Sequence, residues 1–334
     1  KNMRKSYIVS AKRTAIGSFL GGLATVKPKD MGSAVVKALL EDANVAPENV
    51  DEVICGNVLG AGLGQNIGRT IALEAGIPET VCAHSVNMVC GSGLRTVMEA
   101  VMSIQCGFND IVVAGGVESM SGAPYLIPAN TRTGNKMGNL TVVDHMIYDA
   151  LTDARANIHM GVTAENIAKK YNITREEQDA FGYASQQKAI AAVDSGRFKD
   201  EIVPITVHLK KQDVIFDTDE HPNRKSTPEK MAKLRPAFVK DGTVTAGNAS
   251  GINDGASFVL VASEDAVKKY NLTPMAEIIG FGQGGVDPRV LPAHEVIVKA
   301  EGGDLFGVVG AKPPHLLTAA EREKAVTMDS LYVD

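Results

Sequence analysis

Over its first 120 residues the chain alternates strand-like and helix-like patterns, and that alternation leaves few folds open. Ser6, Tyr7, Ile8 and Val9 read as a strand. Residues 31–43 follow Asp30 as an N-cap and carry Val35, Val36, Leu39 and Leu40 on one helical face. A strand over 53–59, a helix over 66–75, a strand over 81–89, a helix over 91–105 and a short apolar strand over 111–114 follow. Strands separated by helices predict a mostly parallel sheet covered by helices.

From 120 to 245 the texture changes. Residues 123–139 are rich in Pro, Gly and Asn and read as irregular loop. Thr174 and Glu177 form a capping-box pattern opening a helix to about residue 194. Ser226, Thr227 and Pro228 start another helix, with proline at its first position. This block reads as an insertion between two parts of one sheet, which resumes at 257–262. Ser263 then caps a helix to Tyr270, and 276–280 form a further strand. Residues 294–299 and 305–309 flank Glu301 to Asp304 as a hairpin, and Thr318 with Glu321 makes one more capping-box pattern. The expected units are 1–120 with 246–274, an inserted unit over 121–245, and a C-terminal segment over 275–334.

Composition narrows the functional classes. At 44% hydrophobic and 22% charged the chain is ordinary globular material. No apolar run approaches the roughly 18 residues of a membrane helix. The net charge of −5 with dispersed basic residues argues against a nucleic-acid surface. The N-terminal stretch lacks the apolar core of a secretory signal. Cys55, Cys82, Cys90 and Cys106 include no CxxC pair and no zinc-ligand rhythm, so reduced thiols and a cytoplasmic location are expected, with no metal or bound cofactor.

Residues 86–93, VNMVCGSG, carry the sharpest chemical signal. A strand runs into a turn holding Cys90, and Gly91 and Gly93 bracket the start of a helix. A helix N-terminus offers N–H groups and partial positive charge, which favour thiolate over thiol. The glycines leave room for an acyl group. Cys90 is therefore a candidate nucleophile for acyl transfer, against the alternative of a structural cysteine, which stands for the other three. The helix that follows is apolar on nearly every side, which predicts cover on both faces. The small-residue loop over 245–255 reads equally as a ligand groove or a tight connection. His159 and Met160, ahead of a helix, read more readily as packing. The glycine pattern over 280–285 matches GxGxxG, but Pro288 stands where the helix should begin, so no dinucleotide site is assigned. Lys210, Lys211, Arg224, Lys225, Lys230, Lys233 and Arg235 suit either phosphate groups at a groove mouth or a solvated surface.

These motifs, in order, give the chain a family likeness. Residues 3 to about 288 resemble the biosynthetic thiolases, the acetyl-CoA C-acetyltransferases, through RTAIGSF, GNVLGAGLGQN, NMVCGSGLRTV, AGGVESMS, HMGVTAEN, KLRPAF, DGTVTAGNASGINDGA and GVDP. The resemblance implies an α/β thiolase-like half, a mixed sheet covered by helices, with an inserted loop domain and a short β-rich C-terminal segment. It implies that Cys90 takes the acetyl group of one acetyl-CoA and that a second acetyl-CoA attacks the acyl-enzyme in a Claisen condensation to acetoacetyl-CoA, or the reverse thiolysis. It further implies that Leu151, His159, Met160 and Ser250 line the channel for the pantetheine arm of CoA. The family's phosphate-binding arginine position falls on Asn223, with Arg224 beside it. A homodimer or homotetramer is implied as well.

After Asp287 the likeness changes. The family's Asn-Glu-Ala-Phe, Gly-His-Pro and Cys-x-Gly-Gly-Gly motifs are not found there. Instead GGVDPRVLPAHEVIV, LFGVVGAKPPHLL, EREKAV and LYVD resemble the small β-rich domain of tetrahedral metallo-aminopeptidases, as in a chimera joined at Gly-Gly-Val-Asp-Pro. His294, His315, Asp304, Asp329 and Asp334 match none of that family's metal-ligand motifs. Five apolar side chains left uncovered on the nucleophile helix would forfeit about 7–15 kcal/mol. Acylation with impaired turnover is the expected activity; an inactive CoA-binding scaffold is the alternative, and a metallo-aminopeptidase the remote one.

Overall fold

A computed structural model of the chain describes residues 4–127 and 129–281, with the strand pieces Ile297–Lys299, Leu305–Phe306, Val309–Gly310 and Tyr332–Val333. The Thr318 capping-box pattern and residues 282–296 lie outside the described residues. Strand β1 (Ser6–Thr14) leads to helix α1 (Pro28–Asp42), then β2 (Glu52–Gly56), α2 (Ile67–Glu74), β3 (Cys82–Val86), α3 (Ser92–Cys106) and β4 (Ile111–Ser119). Next come α4 (Met160–Tyr171), α5 (Arg175–Asp194), a hairpin of β5 (Ile205–His208) and β6 (Asp213–Phe216), and α6 (Pro228–Ala232). Strand β7 (Asn253–Ser263), α7 (Glu264–Tyr270), β8 (Ala276–Gly280), β9 (Ile297–Lys299) and β10 (Leu305–Phe306) complete the main elements.

The main sheet runs in the order β10-β9-β8-β1-β7-β4-β2-β3. It is a mixed sheet, as the family likeness implied, and not the mostly parallel one that strand–helix alternation alone predicts. Strand β2 pairs parallel with both β3 and β4, and the short strand Ile202–Val203 pairs parallel with β1, but β7 is antiparallel to both β1 and β4. The reason is connectivity. Single helices link β2 to β3 and β3 to β4, which fixes parallel neighbours, whereas β7 arrives beside β4 only after the long excursion of residues 120–252. The chain steps outward from β2 to β3 through α2 and back past β2 to β4 through α3. Opposite steps with one crossover hand put the two helices on opposite faces.

Two cores record this. Val53, Val113, Phe258 and Leu260 pack with α1 and α2, while Ile54, Val112, Ala114 and Val261 pack with Ala100, Val101 and Ile104 of α3. The period-2 alternation in β2, β4 and β7 supplies one side chain to each core in turn. Helix α3 is thus covered on its sheet side. The cover expected on its other side is not complete among the described residues: Leu94, in the first turn, is 36% exposed, because that turn opens on a cleft.

Several boundaries move. Helix α1 begins three residues before the expected start, since Pro28 at N1 is already preset for helix; Lys27 is the N-cap, and Asp30 sits in the first turn, where its charge suits the helix dipole. Strand β3 ends at Val86, not Val89, and β2 at Gly56. Strand β7 starts at Asn253, because Asn253 and Asp254 pair with Ser18 and Gly17. The capping box at Thr174 and the caps at Thr227 and Ser263 are as expected. Strands β9 and β10 pair antiparallel, Val298 opposite Phe306, as the C-terminal hairpin predicts.

Candidate active site

The parallel strands β2, β3 and β4 end on the same side of the sheet, and their carboxyl-end loops build a cleft of about 750 Å³. Crevices at such strand ends, where connections diverge, are the usual ligand sites of α/β sheets. Val58 and Leu59 follow β2, Val89 and Cys90 follow β3, and Glu118 and Met120 close β4; Leu94, Val97, Leu151, Asn253 and Ser257 complete much of the wall.

The turn bearing Cys90 is tightly held. Ser92 accepts a hydrogen bond from the N–H of Met88 (2.8 Å) and donates its hydroxyl to the carbonyl of Val89 (2.6 Å). The N–H of Val89 donates to Asn87 Oδ1 (3.0 Å), and the N–H of Gly91 to the Met88 carbonyl (3.1 Å). Val89 has φ +50°, a left-handed conformation that is costly for a β-branched residue and persists only where the surroundings enforce it. The result is an exposed Cys90 two residues before the first residue of α3, its side chain in the cleft wall. Gly56 makes this arrangement possible. A Cβ there would lie 2.9 Å from the Gly93 nitrogen and the Ser92 carbonyl carbon, so only glycine lets α3 start directly on the end of β2.

Two other charged groups in the wall, Glu118 and Arg13, are engaged. Glu118 accepts hydrogen bonds from Asn57 Nδ2 (3.0 Å) and from the N–H groups of Val58 (3.0 Å) and Leu59 (2.9 Å). Burial pushes its carboxyl above the usual value, against these donors. Arg13 pairs with Glu201 and, through two nitrogens, with Asp219, and lies over the Phe198 ring. Sequence reasoning singled out neither. The available signal was a carboxylate breaking the apolar run of β4, which a core strand tolerates only when donors await it. Cys55 is buried and its thiol is pushed up to about 12, chiefly by burial, which suits an inert structural cysteine.

Of the residues expected to line a substrate channel, only Leu151 joins Cys90 in the cleft wall. The N–H of Met160 donates to the Leu151 carbonyl (2.8 Å), and Thr152 forms a bridge with His159, so these three residues are continuous in space. His159 is the N-cap of α4: its Nδ1 accepts from the N–H of Gly161 (3.0 Å), and its ring stacks on Phe238 at 4.8 Å. Met160 is 37% exposed. Ser250 is exposed on its loop, outside the wall of the cleft. Arg224 also lies outside it, bound to Asp194 by two hydrogen bonds (2.9 and 2.6 Å). Among the described residues, no helix is long and apolar enough to cross a membrane.

A cysteine at the opening of a helix, in a cleft at parallel strand ends, defines the frame of an α/β enzyme acting on a small ligand. The family model "Thiolase, N-terminal domain" matches residues 6–265, and the chain belongs to the thiolase family, a family of acyltransferases. The acetyl-CoA acetyltransferase of Thiocystis violacea is 54% identical over 285 residues, covering 85% of this chain and 72% of that protein. That of Escherichia coli K12 is 51% identical over 289 residues, 86% of this chain and 73% of that protein. The crystal structure of the Bacillus anthracis acetyl-CoA acetyltransferase superposes with a TM-score of 0.83 at 42% identity, covering 86% of this chain and 73% of that one. A second family model, "M42 glutamyl aminopeptidase", matches residues 282–334.

Proposed function

We propose that the chain is an acetyl-CoA C-acetyltransferase whose nucleophile is Cys90. The Sγ attacks the thioester carbonyl of acetyl-CoA and the carbon–sulfur bond to CoA breaks. The thiol proton leaves with CoA, and an acetyl-cysteine remains. In the condensing direction, a second acetyl-CoA loses an α-proton, its carbanion attacks the acetyl carbonyl, the carbon–sulfur bond to Cys90 breaks to give acetoacetyl-CoA, and the released thiolate ends with that proton; thiolysis is the reverse. The observation that carries this reading is the exposed Cys90 opening on an apolar cleft from a strand–turn–helix corner. The coenzyme A thioester is the substrate, and no bound cofactor takes part. Leu151, His159, Met160 and Ser250 form the pantetheine channel, with Arg224 near its phosphate end. Residues 121–245 act as an inserted loop unit that supports assembly into a homodimer or homotetramer. The four cysteines, none in a disulfide, suit a reducing cytoplasm.

Turnover is proposed to be slow compared with acylation. The titratable groups in the cleft wall, among the described residues, are Arg13, Cys90, Glu118 and Asp254, with no histidine there to activate Cys90 and no second cysteine to deprotonate the second substrate. The same observation supports the second reading, a CoA-binding protein without catalytic turnover. The two family matches on either side of residues 266–281 further support a chimeric origin for the segment after Asp287.

Intact-mass measurement after incubation with acetyl-CoA tests the acylation step. One acetyl adduct is expected on the wild type and none on Cys90→Ser. Absence of any adduct on the wild type, with CoA binding intact by calorimetry, selects the second reading.

A further inference from the structure

Three of the residues assigned to the pantetheine channel sit on two stretches far apart in sequence: His159 and Met160 at the start of α4, and Ser250 at the end of a loop. Loops of that composition, rich in Gly, Ala, Thr and Asn, do not hold one shape by themselves. In this molecule two buried carboxylates hold it. Glu165 lies on α4, five residues after Met160, and is 9% exposed. The N–H of Thr243 donates to both of its oxygens (2.9 and 3.0 Å), the Thr243 hydroxyl to Oε2 (3.0 Å) and the N–H of Val244 to Oε1 (2.8 Å).

A side chain at Gly242 would collide with Glu165, since a Cβ there would lie 2.3 Å from Oε1. The loop is therefore shaped to receive this carboxylate. Burial disfavours the ionised form of Glu165, yet the N–H groups of Thr243 and Val244 and the Thr243 hydroxyl hold its carboxyl below the usual value.

Asp179, on α5 and also 9% exposed, grips the far side of the same loop. Asn248, two residues before Ser250, donates its side-chain amide to Asp179 Oδ1 (2.8 Å) and accepts from the N–H of Thr245 (2.8 Å). Arg175 Nε donates to the other Asp179 oxygen (2.7 Å), which neutralises the charge left beneath the loop. Neither carboxylate is in the cleft wall, so neither touches the reacting atoms.

We propose that Glu165 and Asp179 are positioning residues that clamp loop 243–250 against the start of α4, setting the width of the channel for the thioester's pantetheine arm. The proposal rests on the channel reading given above. It separates two functions of the molecule: the carboxylates govern how the carrier arm is held, and the turn at Cys90 governs the reactivity of the thiol.

Glu165→Gln, Glu165→Ala and Asp179→Asn in the full chain test it. CoA affinity is read by calorimetry, KM and kcat of Cys90 acetylation by intact mass, and Cys90 alkylation by iodoacetamide, a reagent too small to need the channel. Losing hydrogen bonds to a charged group should weaken CoA binding about tenfold in Glu165→Ala, with KM rising in step. Glu165→Gln, which keeps an acceptor oxygen, should recover part of that loss, and kcat and the alkylation rate should stay at wild-type values. CoA affinity unchanged in all three variants overturns the proposal, as does an alkylation rate that falls in parallel with CoA affinity. A wild type that binds no CoA overturns the channel reading itself, and the clamp with it.

Discussion

Replacing Gly56 by alanine should damage both stability and chemistry, and the structure sets the size of the damage. The added Cβ would stand 2.9 Å from the Gly93 nitrogen and the Ser92 carbonyl carbon, and 3.0 Å from Ser92 Cβ. Ordinary contact begins near 3.4 Å, so the start of α3 must retreat by about 0.5 Å. Those neighbours are mostly backbone, inside a helix that packs on the sheet through Ala100, Val101 and Ile104, so no flexible side chain absorbs the shift. Overpacking of this kind costs about 1–3 kcal/mol. The same movement displaces Cys90, and misplacement on the scale of 1 Å costs roughly a hundredfold in rate. Gly93→Ala is the matched control. A Cβ there meets nothing within 4 Å, and alanine in a helix gains about 0.5–1 kcal/mol over glycine. Urea denaturation should therefore part the two variants, with Gly56→Ala destabilised and Gly93→Ala as stable as wild type or more so, and Gly56→Ala should also acetylate slowly. Equal stability of Gly56→Ala and wild type would refute the reasoning that α3 rests directly on β2.

Three further outcomes are expected. Glu165 has a native carboxyl value below the ordinary one, so its contribution is complete above the unfolded-state value of about 4.3 and is lost as pH falls through the lower native value. Loop 243–250 should accordingly become susceptible to an acid-active protease only below about pH 4, and susceptibility that rises already near neutrality would count against it. Thr174→Ala removes the hydroxyl that accepts from the Glu177 N–H, while the backbone half of the α5 capping box remains, and should cost about 1 kcal/mol in urea denaturation. Cys55, its thiol pushed up to about 12, should resist iodoacetamide in the native protein at mildly alkaline pH, whereas Cys82, Cys90 and Cys106 are exposed and should be alkylated; peptide mapping reads all four.

Local chemistry made much of the fold legible. The capping box at Thr174, proline at the start of α6 and serine before α7 each settle a helix start with groups a few residues apart, so a short window contains the whole cause. The corner bearing Cys90 was legible for the same reason. The start of β7 was not: Asn253, Asp254 and Gly255 have the composition of a turn, and become strand because Gly17 and Ser18 supply one set of partners and Ser119 and Glu118 another. The direction of β7 is equally a matter of distant pairing, which is why the alternation of elements overstated the parallel content of the sheet.

The carboxylates that organise the molecule are the extreme case. Glu165 reaches Thr243 across 78 residues, Asp179 reaches Asn248 across 69, and Arg13 reaches Asp219 across 206. In a helical window, a Glu or Asp on α4 or α5 looks like any solvated surface residue, and on base rates it should be one. What buries it is a loop folded back from elsewhere, with N–H groups that would otherwise have no acceptor. The sequence sign of such a site is therefore split in two: a charged residue on a helix and, far away, a glycine-rich loop whose backbone donors need an anion. In this chain Gly242, Thr243 and Val244 are that second half, and Glu165 has meaning only when they are placed against it.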